Sequence, residues 1–371
     1  MHCTRLIPKK THLLFSHNRI CGSDQVRIRI AYCGTCGSDI HEHQAGPILA
    51  PQPNSPNPYT GVSLPVTLGH EMSGTITEIG SAVRAAAAKH NNYSNKNNKS
   101  LCVGQKVVVN PLVAHPQHAA RPAAGGAYYG ISADGGGLSS QIVVAAENVV
   151  PVPDNVDLRV AALAEPLAVA CHMIERSRFI AGDDVLILGS GPIGLALLIL
   201  LRGKGSRKVI MAEVSELRIS QAERLGAGSV VNPFARHNNG PDPVLCEVLK
   251  ATKEGVDIAF DASGSQATLD TAIALVRPGG TIFNVAIHEK PLSISLNDIS
   301  ISEKRLTGGI CYLRKDFEEV LGLLSSGGLP AEEMITFVVP LSDAIERGFQ
   351  ELIVNKTSHV KILIQPDTGL I

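Results

Sequence analysis

Asp184-Val185-Leu186-Ile187-Leu188-Gly189-Ser190-Gly191-Pro192-Ile193-Gly194 reads as an apolar strand, a glycine turn and the start of an apolar helix. A lone G-x-G-x-x-G is weak evidence for a nucleotide site. A strand before it and a helix after it make the pattern specific. Gly189 permits the tight turn, Gly191 lets the backbone approach a pyrophosphate, and Gly194 lets the helix pack close to the strand. Pro192 and Ile193 open the helix, whose free N–H groups and positive dipole end favour an anion. The next apolar strand, Lys208-Val209-Ile210-Met211-Ala212-Glu213, ends in an acid at about the expected distance. A carboxylate there accepts hydrogen bonds from the adenosine ribose hydroxyls and repels a 2′-phosphate, so NAD is expected over NADP. Arg218 pulls slightly the other way, because a guanidinium beyond the acid can accommodate that phosphate. The bland alternative is a structural glycine turn with an exposed Glu213, and the strand–turn–helix context outweighs it.

Beyond this turn, apolar strands alternate with helical stretches: 208–213, a helix from 216, 256–261, a helix from 266, then 281–285. That alternation predicts an α/β fold with a doubly wound parallel sheet over residues 157–297. The pattern before it differs. Residues 26–33 alternate apolar with polar as a half-buried strand does, and glycine-punctuated β patterns follow at 73–79, 106–110 and 141–145. A β-rich domain is therefore expected over 1–156, with the chain returning to it over 298–371 and ending in the strand-like stretch 360–365. Residues 85–100 interrupt the pattern with an alanine run and an asparagine-rich polar stretch, expected as a low-complexity surface insert.

Composition removes several function classes. The formal net charge is −1 and no basic block is present, so neither nucleic acid nor an anionic membrane is a favoured partner. No apolar run approaches the roughly 20 residues that span a bilayer. There is no tryptophan and only 4% of residues are aromatic, so the core must rest on aliphatic side chains. The eight cysteines are scattered, which suits a reducing compartment better than a disulfide framework. A cytoplasmic location is expected; Arg5, Lys9, Lys10 and Arg19, ahead of any acidic residue, leave a mitochondrial presequence as the alternative.

Cys36-Gly37-Ser38-Asp39-Ile40-His41, Gly69-His70-Glu71 and Glu165-Pro166-Leu167 together offer a thiolate, an imidazole and carboxylates. Zinc accepts all three donor types, and catalytic zinc keeps three protein ligands and one open position. Cys36 and His70 are two candidate ligands, and the oxygen comes from Glu71, from Glu165, or from both at different steps. Taken singly, Cys36 could be a packed thiol, His70 a satisfied core histidine and Glu165 a helix-start acid; their joint occurrence with the nucleotide turn favours the metal. Cys33 and Cys36 also form C-x-x-C, but no thioredoxin-like βαβ unit opens there. Zinc beside a nicotinamide site implies alcohol–ketone chemistry. The alcohol must lose its proton before giving up a hydride. Ser38 can take that proton by hydrogen bond, and His41 can pass it onward to solvent.

These segments resemble the zinc-dependent medium-chain dehydrogenase/reductase family over nearly the whole chain, within it the 2,3-butanediol and, further off, the sorbitol and polyol dehydrogenase branches. Further matches are Cys33-Gly34-Thr35, Leu68, Met72-Ser73-Gly74, Ala164 with Ala168-Val169, Asp261-Ala262-Ser263-Gly264 and Arg277-Pro278-Gly279-Gly280. Gly46-Pro47-Ile48 and Gly348-Phe349-Gln350-Glu351-Leu352 point to the butanediol branch. The resemblance implies a GroES-like catalytic domain split around the Rossmann domain, with the active site in the cleft between them. It also implies NAD, a homodimer or homotetramer, and catalytic zinc on Cys36, His70 and Glu165 with Glu71 beside or on the metal. The implied substrate is a secondary alcohol, most simply the vicinal diol 2,3-butanediol with acetoin as its ketone. A sorbitol- or xylitol-type polyol or L-threonine is the alternative. A zinc-free NADPH quinone reductase and a non-catalytic relative stand as the other classes, disfavoured by the ligand set, Glu213 and the Ser38–His41 pair. Many family members carry a structural zinc on four cysteines in a lobe that here corresponds to 111–121. That lobe contains His115 and His118 but no cysteine, so no structural zinc is expected.

Overall fold

The alternation at 26–33 becomes the ten-residue strand Gln25–Gly34, with Val26, Ile28 and Ile30 buried and Arg27 and Arg29 on the opposite face. In the computed structural model of the chain, residues 2–7, 10–15, 19–90, 101–113, 126–235, 242–288, 290–355 and 357–366 are described. Two units divide the chain. The first comprises Met1–Glu165, Phe317–Ser326 and Ile335–Ile371, and the second Pro166–Asp316 and Gly327–Met334.

In the first unit the strand Gln25–Gly34 is the hub of a seven-stranded sheet. It pairs antiparallel with Glu71–Ile79, with Gln141–Ala145 and with Lys361–Gln365. Lys106–Val109 and Val149–Pro151 extend the sheet on one side and Ile335–Pro340 on the other. Inward residues from these strands, among them Ile28, Met72, Ile76, Val107, Ile142 and Ile362, share one aliphatic core. At one end of the sheet, Gly34 pairs with both Glu71 and Leu363, so the start of one strand and the middle of another meet the end of the hub. The strands His2–Ile7 and Lys10–Phe15 form a hairpin whose first strand pairs with Val66–Thr67.

The second unit holds a six-stranded sheet, parallel throughout. Its spatial order is Ser229–Val231, Lys208–Ala212, Asp184–Leu188, Val256–Asp261, Val276–Asn284, Arg305–Gly308. This is the doubly wound order in which the strand direction of travel reverses beside Asp184–Leu188, where ligands bind in such sheets. All five residues of that strand are buried, as a parallel strand covered on both faces requires.

Two boundaries differ from those expected. Arg305–Gly308 joins the parallel sheet beside Val276–Asn284, so the second unit extends past 297 to Asp316. All four of its residues are exposed, so no buried period marks it as a strand. The start of the second unit falls at Pro166, because the first two residues of the helix Ala164–Arg176 belong to the first unit. The residues 85–90 do not form a loop: they continue the helix Ser81–His90, as the high helix propensity of alanine favours. The rest of the expected insert, 91–100, lies outside the described residues, as do 114–125 with His115 and His118.

The glycine turn shows why the helix Pro192–Gly203 sits so close to its strand. A Cβ on Gly194 would stand 2.0 Å from the carbonyl oxygen of Gly189, and Gly189 itself has φ of +104°. We expect Gly194→Ala to cost about 2–3 kcal/mol. Gly203→Ala, whose Cβ would make only an ordinary 3.6 Å contact with Leu329, should be close to neutral. Thermal unfolding of the two variants checks the difference, and equal melting temperatures would overturn the close-packing argument.

Candidate active site

Cys36 is the N-cap of the helix Gly37–Ala45, at the point where the chain leaves the hub strand. Its backbone N–H donates to Asp39 Oδ2 at 2.9 Å, the reciprocal arm of a capping box. Asp39 Oδ1 accepts the N–H of Gly69 at 3.1 Å and lies 3.7 Å from His70 Nδ1. One buried carboxylate therefore ties the cysteine turn to the histidine turn. Burial pushes its pKa up, and His70 and the N–H of Cys36 oppose that rise. Burial also opposes the His70 imidazolium, but Asp39 and then Cys36 outweigh it and raise the His70 pKa well above its ordinary value.

Cys36, His70 and Glu71 each present one ligand atom, all within 4.8 Å of one another. Thiolate, imidazole and carboxylate at that separation fit a tetrahedral zinc ion. His70 Nδ1 is buried with no hydrogen-bond partner among the described residues, as a histidine awaiting a metal or a tightened Asp39 contact would be. Glu165 is 8% exposed in the first turn of its helix, and its charge acts on both His70 and Lys361. Glu71 is held from the other side: Lys361 Nζ donates to its Oε1 at 2.6 Å and Oε2 at 2.7 Å, and to the carbonyl of Thr35 at 3.0 Å.

Ser38 and His41 lie three residues apart on the helix Gly37–Ala45 and so share one side of it. The Ser38 hydroxyl is buried without a partner among the described residues, while His41 is exposed. One turn further, Glu42 is 1% exposed and accepts the backbone N–H groups of Ile48, Leu49 and Ala50, which pins the following loop to the helix. Cys33 is fully buried, and burial followed by the charges of Asp39 and Glu71 pushes its thiol well above the ordinary range. A thiol in that condition is a packed core group, which argues against the C-x-x-C redox reading.

In the second unit Gly191 is the N-cap and Pro192 the first residue of the helix Pro192–Gly203, and a Cβ on Gly191 would meet nothing within 4 Å. That open space over free helical N–H groups fits a pyrophosphate. Glu213 is 7% exposed at the tip of the next strand. Its Oε2 accepts the N–H of Ser190 at 2.8 Å, and its Oε1 those of Val214 at 2.8 Å and Ser215 at 3.0 Å. The acid is thus clamped in place by the backbone, with lone pairs left over for a sugar hydroxyl. Arg218 lies in the first turn of the helix Glu216–Arg224, its N–H directed to Ser215 Oγ.

Asp39 and Lys361 are the two residues that the sequence reading left without a role. Asp39 carries a local signal, an acid three residues after an N-cap. Lys361 carries none, standing 290 residues from Glu71. We expect Asp39→Ala to weaken zinc binding roughly 10–100-fold. Competition with a chromophoric chelator measures it, and unchanged affinity would show that the two turns hold their positions without the carboxylate.

Residues 22–154 match the family model described as alcohol dehydrogenase GroES-like domain, and residues 192–326 that described as zinc-binding dehydrogenase. The (R,R)-butanediol dehydrogenase of Saccharomyces cerevisiae is 34% identical, over 93% of this chain and 92% of that protein. That of Bacillus subtilis is 37% identical, over 92% of this chain and 93% of its own. A crystal structure of 2R,3R-butanediol dehydrogenase from Bacillus subtilis superposes with a TM-score of 0.87 at 33% identity, covering 99% of each chain.

Proposed function

Because the chain belongs to the zinc-binding dehydrogenase family and is an alcohol dehydrogenase of the zinc type, we propose that it interconverts 2,3-butanediol and acetoin with NAD as hydride carrier. The observation that carries the reading is the convergence of Cys36, His70 and Glu71 ligand atoms within 4.8 Å. The similarity to butanediol dehydrogenases over nine-tenths of the chain supports the substrate. When bound, zinc supplies Lewis acidity that lowers the pKa of an alcohol toward neutrality, and the nicotinamide accepts the hydride.

The chain's own residues do the rest. Cys36 and His70, with a carboxylate from Glu71 or Glu165, form the metal seat. Asp39 keeps Cys36 and His70 in register. Ser38 accepts the proton of the alcohol in a hydrogen bond, and its buried hydroxyl has an unused hydrogen-bonding capacity for that purpose. His41, exposed on the same helix side, hands the proton to solvent. In the second unit the turn Gly189 to Gly194 receives the pyrophosphate, with Pro192 and Ile193 at the helix start. Glu213 accepts from the adenosine ribose hydroxyls and repels a 2′-phosphate, while Arg218 flanks it. We read one catalytic zinc per chain, no structural zinc, and a homodimer or homotetramer in the cytoplasm. Among the described residues no helix is long and apolar enough to cross a membrane.

The direct test is NADH formation by zinc-replete protein offered each 2,3-butanediol stereoisomer beside sorbitol, xylitol and threonine. Preference for one butanediol isomer is expected. Activity confined to the longer polyols would keep the mechanism and replace the substrate. Cys36→Ala should abolish turnover while NADH binding, read by fluorescence, persists; full activity in that variant would remove the metal assignment. Glu213→Ala should lower the preference for NAD over NADP by about 10-fold or more, the value of one lost charge contact. Unchanged coenzyme preference would assign Glu213 to the turn alone.

A further inference from the structure

The helix Ala164–Arg176 carries metal-capable side chains that the dehydrogenase reading does not use. His172 and Glu175 stand three residues apart on it and so share one side. Asp316, in the first turn of the helix Arg314–Ser325, meets them there. Each of the three offers one ligand atom, all within 4.8 Å of one another. His172 Nδ1 lies 2.9 Å from Asp316 Oδ2, which also accepts the N–H of Leu313 at 2.6 Å. Asp316 is 1% exposed, yet its Oδ1 is buried with no hydrogen-bond partner among the described residues. Beside it, Lys315 Nζ donates to Glu175 Oε2 at 2.6 Å. We propose that His172, Glu175 and Asp316 form an exchangeable site for a divalent cation of the zinc or cobalt class, and that the Lys315 ammonium is the cation it displaces.

The bland account is a histidine–aspartate hydrogen bond beside a surface ion pair. It leaves one buried carboxylate oxygen without a donor, a group that calls for a water or an ion. A dication supplies the missing partner. Metal bonds to nitrogen and oxygen run to about 2.0–2.2 Å, so neighbouring ligands on one ion stand roughly 3–3.5 Å apart. The His172–Asp316 separation is close to that already. The ion takes the place of the proton between Nδ1 and Oδ2, and the imidazole stays neutral with its proton on Nε2. One imidazole and two carboxylates suit zinc or cobalt, and the two negative charges match one dication. Lys315 does not bar entry. Its side chain is 54% exposed and that of Glu175 52%, so theirs is a surface ion pair of small worth, and the ammonium can swing into water. A cation that must be displaced makes the site loadable rather than permanently filled. Once bound, the ion ties the helix Ala164–Arg176 to the helix Arg314–Ser325.

Equilibrium dialysis of the full chain against cobalt(II) tests this. The site shares no residue with the Cys36 seat, so Cys36→Ala combined with His70→Ala should still take up one ion, without thiolate-to-cobalt absorption in the near ultraviolet. In that background Glu175→Gln should weaken binding by at least about 10-fold. Lys315→Met should instead tighten it by about 10-fold, the value of one opposing charge, a gain that a merely structural role for the cluster does not produce. Zinc should raise the melting temperature of the double variant, and that rise should vanish with Glu175→Gln. The proposal is overturned if the double variant folds and takes up no ion, if Glu175→Gln leaves the affinity unchanged, or if Lys315→Met fails to tighten it. Should the double variant fail to fold, the otherwise unaltered chain decides through Glu175→Gln, a half-exposed position that tolerates the change. Loss of one bound ion supports the site, and a chain whose every bound ion survives that substitution overturns it.

Discussion

Two backbone N–H groups, those of Cys36 and Gly69, converge on the buried carboxylate of Asp39, and the cluster of candidate metal ligands depends on that convergence. The two turns belong to different excursions of the chain, one leaving the hub strand and one entering its neighbour. Sheet pairing alone fixes their backbones only where Gly34 meets Glu71. A carboxylate that satisfies donors on both sides fixes the rest. Its burial makes it intolerant of substitution, because each orphaned N–H would lose a charge-assisted hydrogen bond.

Much of this was legible in the sequence where the signal is local. The strand Asp184–Leu188, its glycine turn and the following helix carry their own pattern within a dozen residues, and the hub strand declares itself by alternation. The limits were equally physical. Arg305–Gly308 is a sheet edge with exposed side chains on both faces, so hydrophobic periodicity has nothing to report there. The alanine run at 85–88 is low in complexity, yet alanine is the strongest helix former, and propensity prevailed over composition.

The metal ligand candidates Cys36, His70 and Glu71 were readable as residue types, but the group that faces Glu71 was not. Lys361 opens the apolar strand Lys361–Gln365, and lysine at a strand start ordinarily reaches solvent. Its burial follows from two pairings of Gly34, which bring strands from opposite ends of the sequence to the same place. Glu213 shows the converse. Its position was evident from spacing, whereas the three backbone N–H groups that clamp it could be seen only once the turn was folded.

The hub strand Gln25–Gly34 has a late partner: Lys361–Gln365 lies between it and Ile335–Pro340, and both follow nearly the whole second unit in chain order. On the ribosome, therefore, the parallel sheet can close while the first unit is still missing an interior strand and the ammonium that neutralises Glu71. Emergence of the first unit ahead of the second does not give it precedence in folding. A nascent chain halted before residue 361 would display an open sheet edge beside uncompensated carboxylates, a natural handle for chaperones and a poor place for an early metal ion.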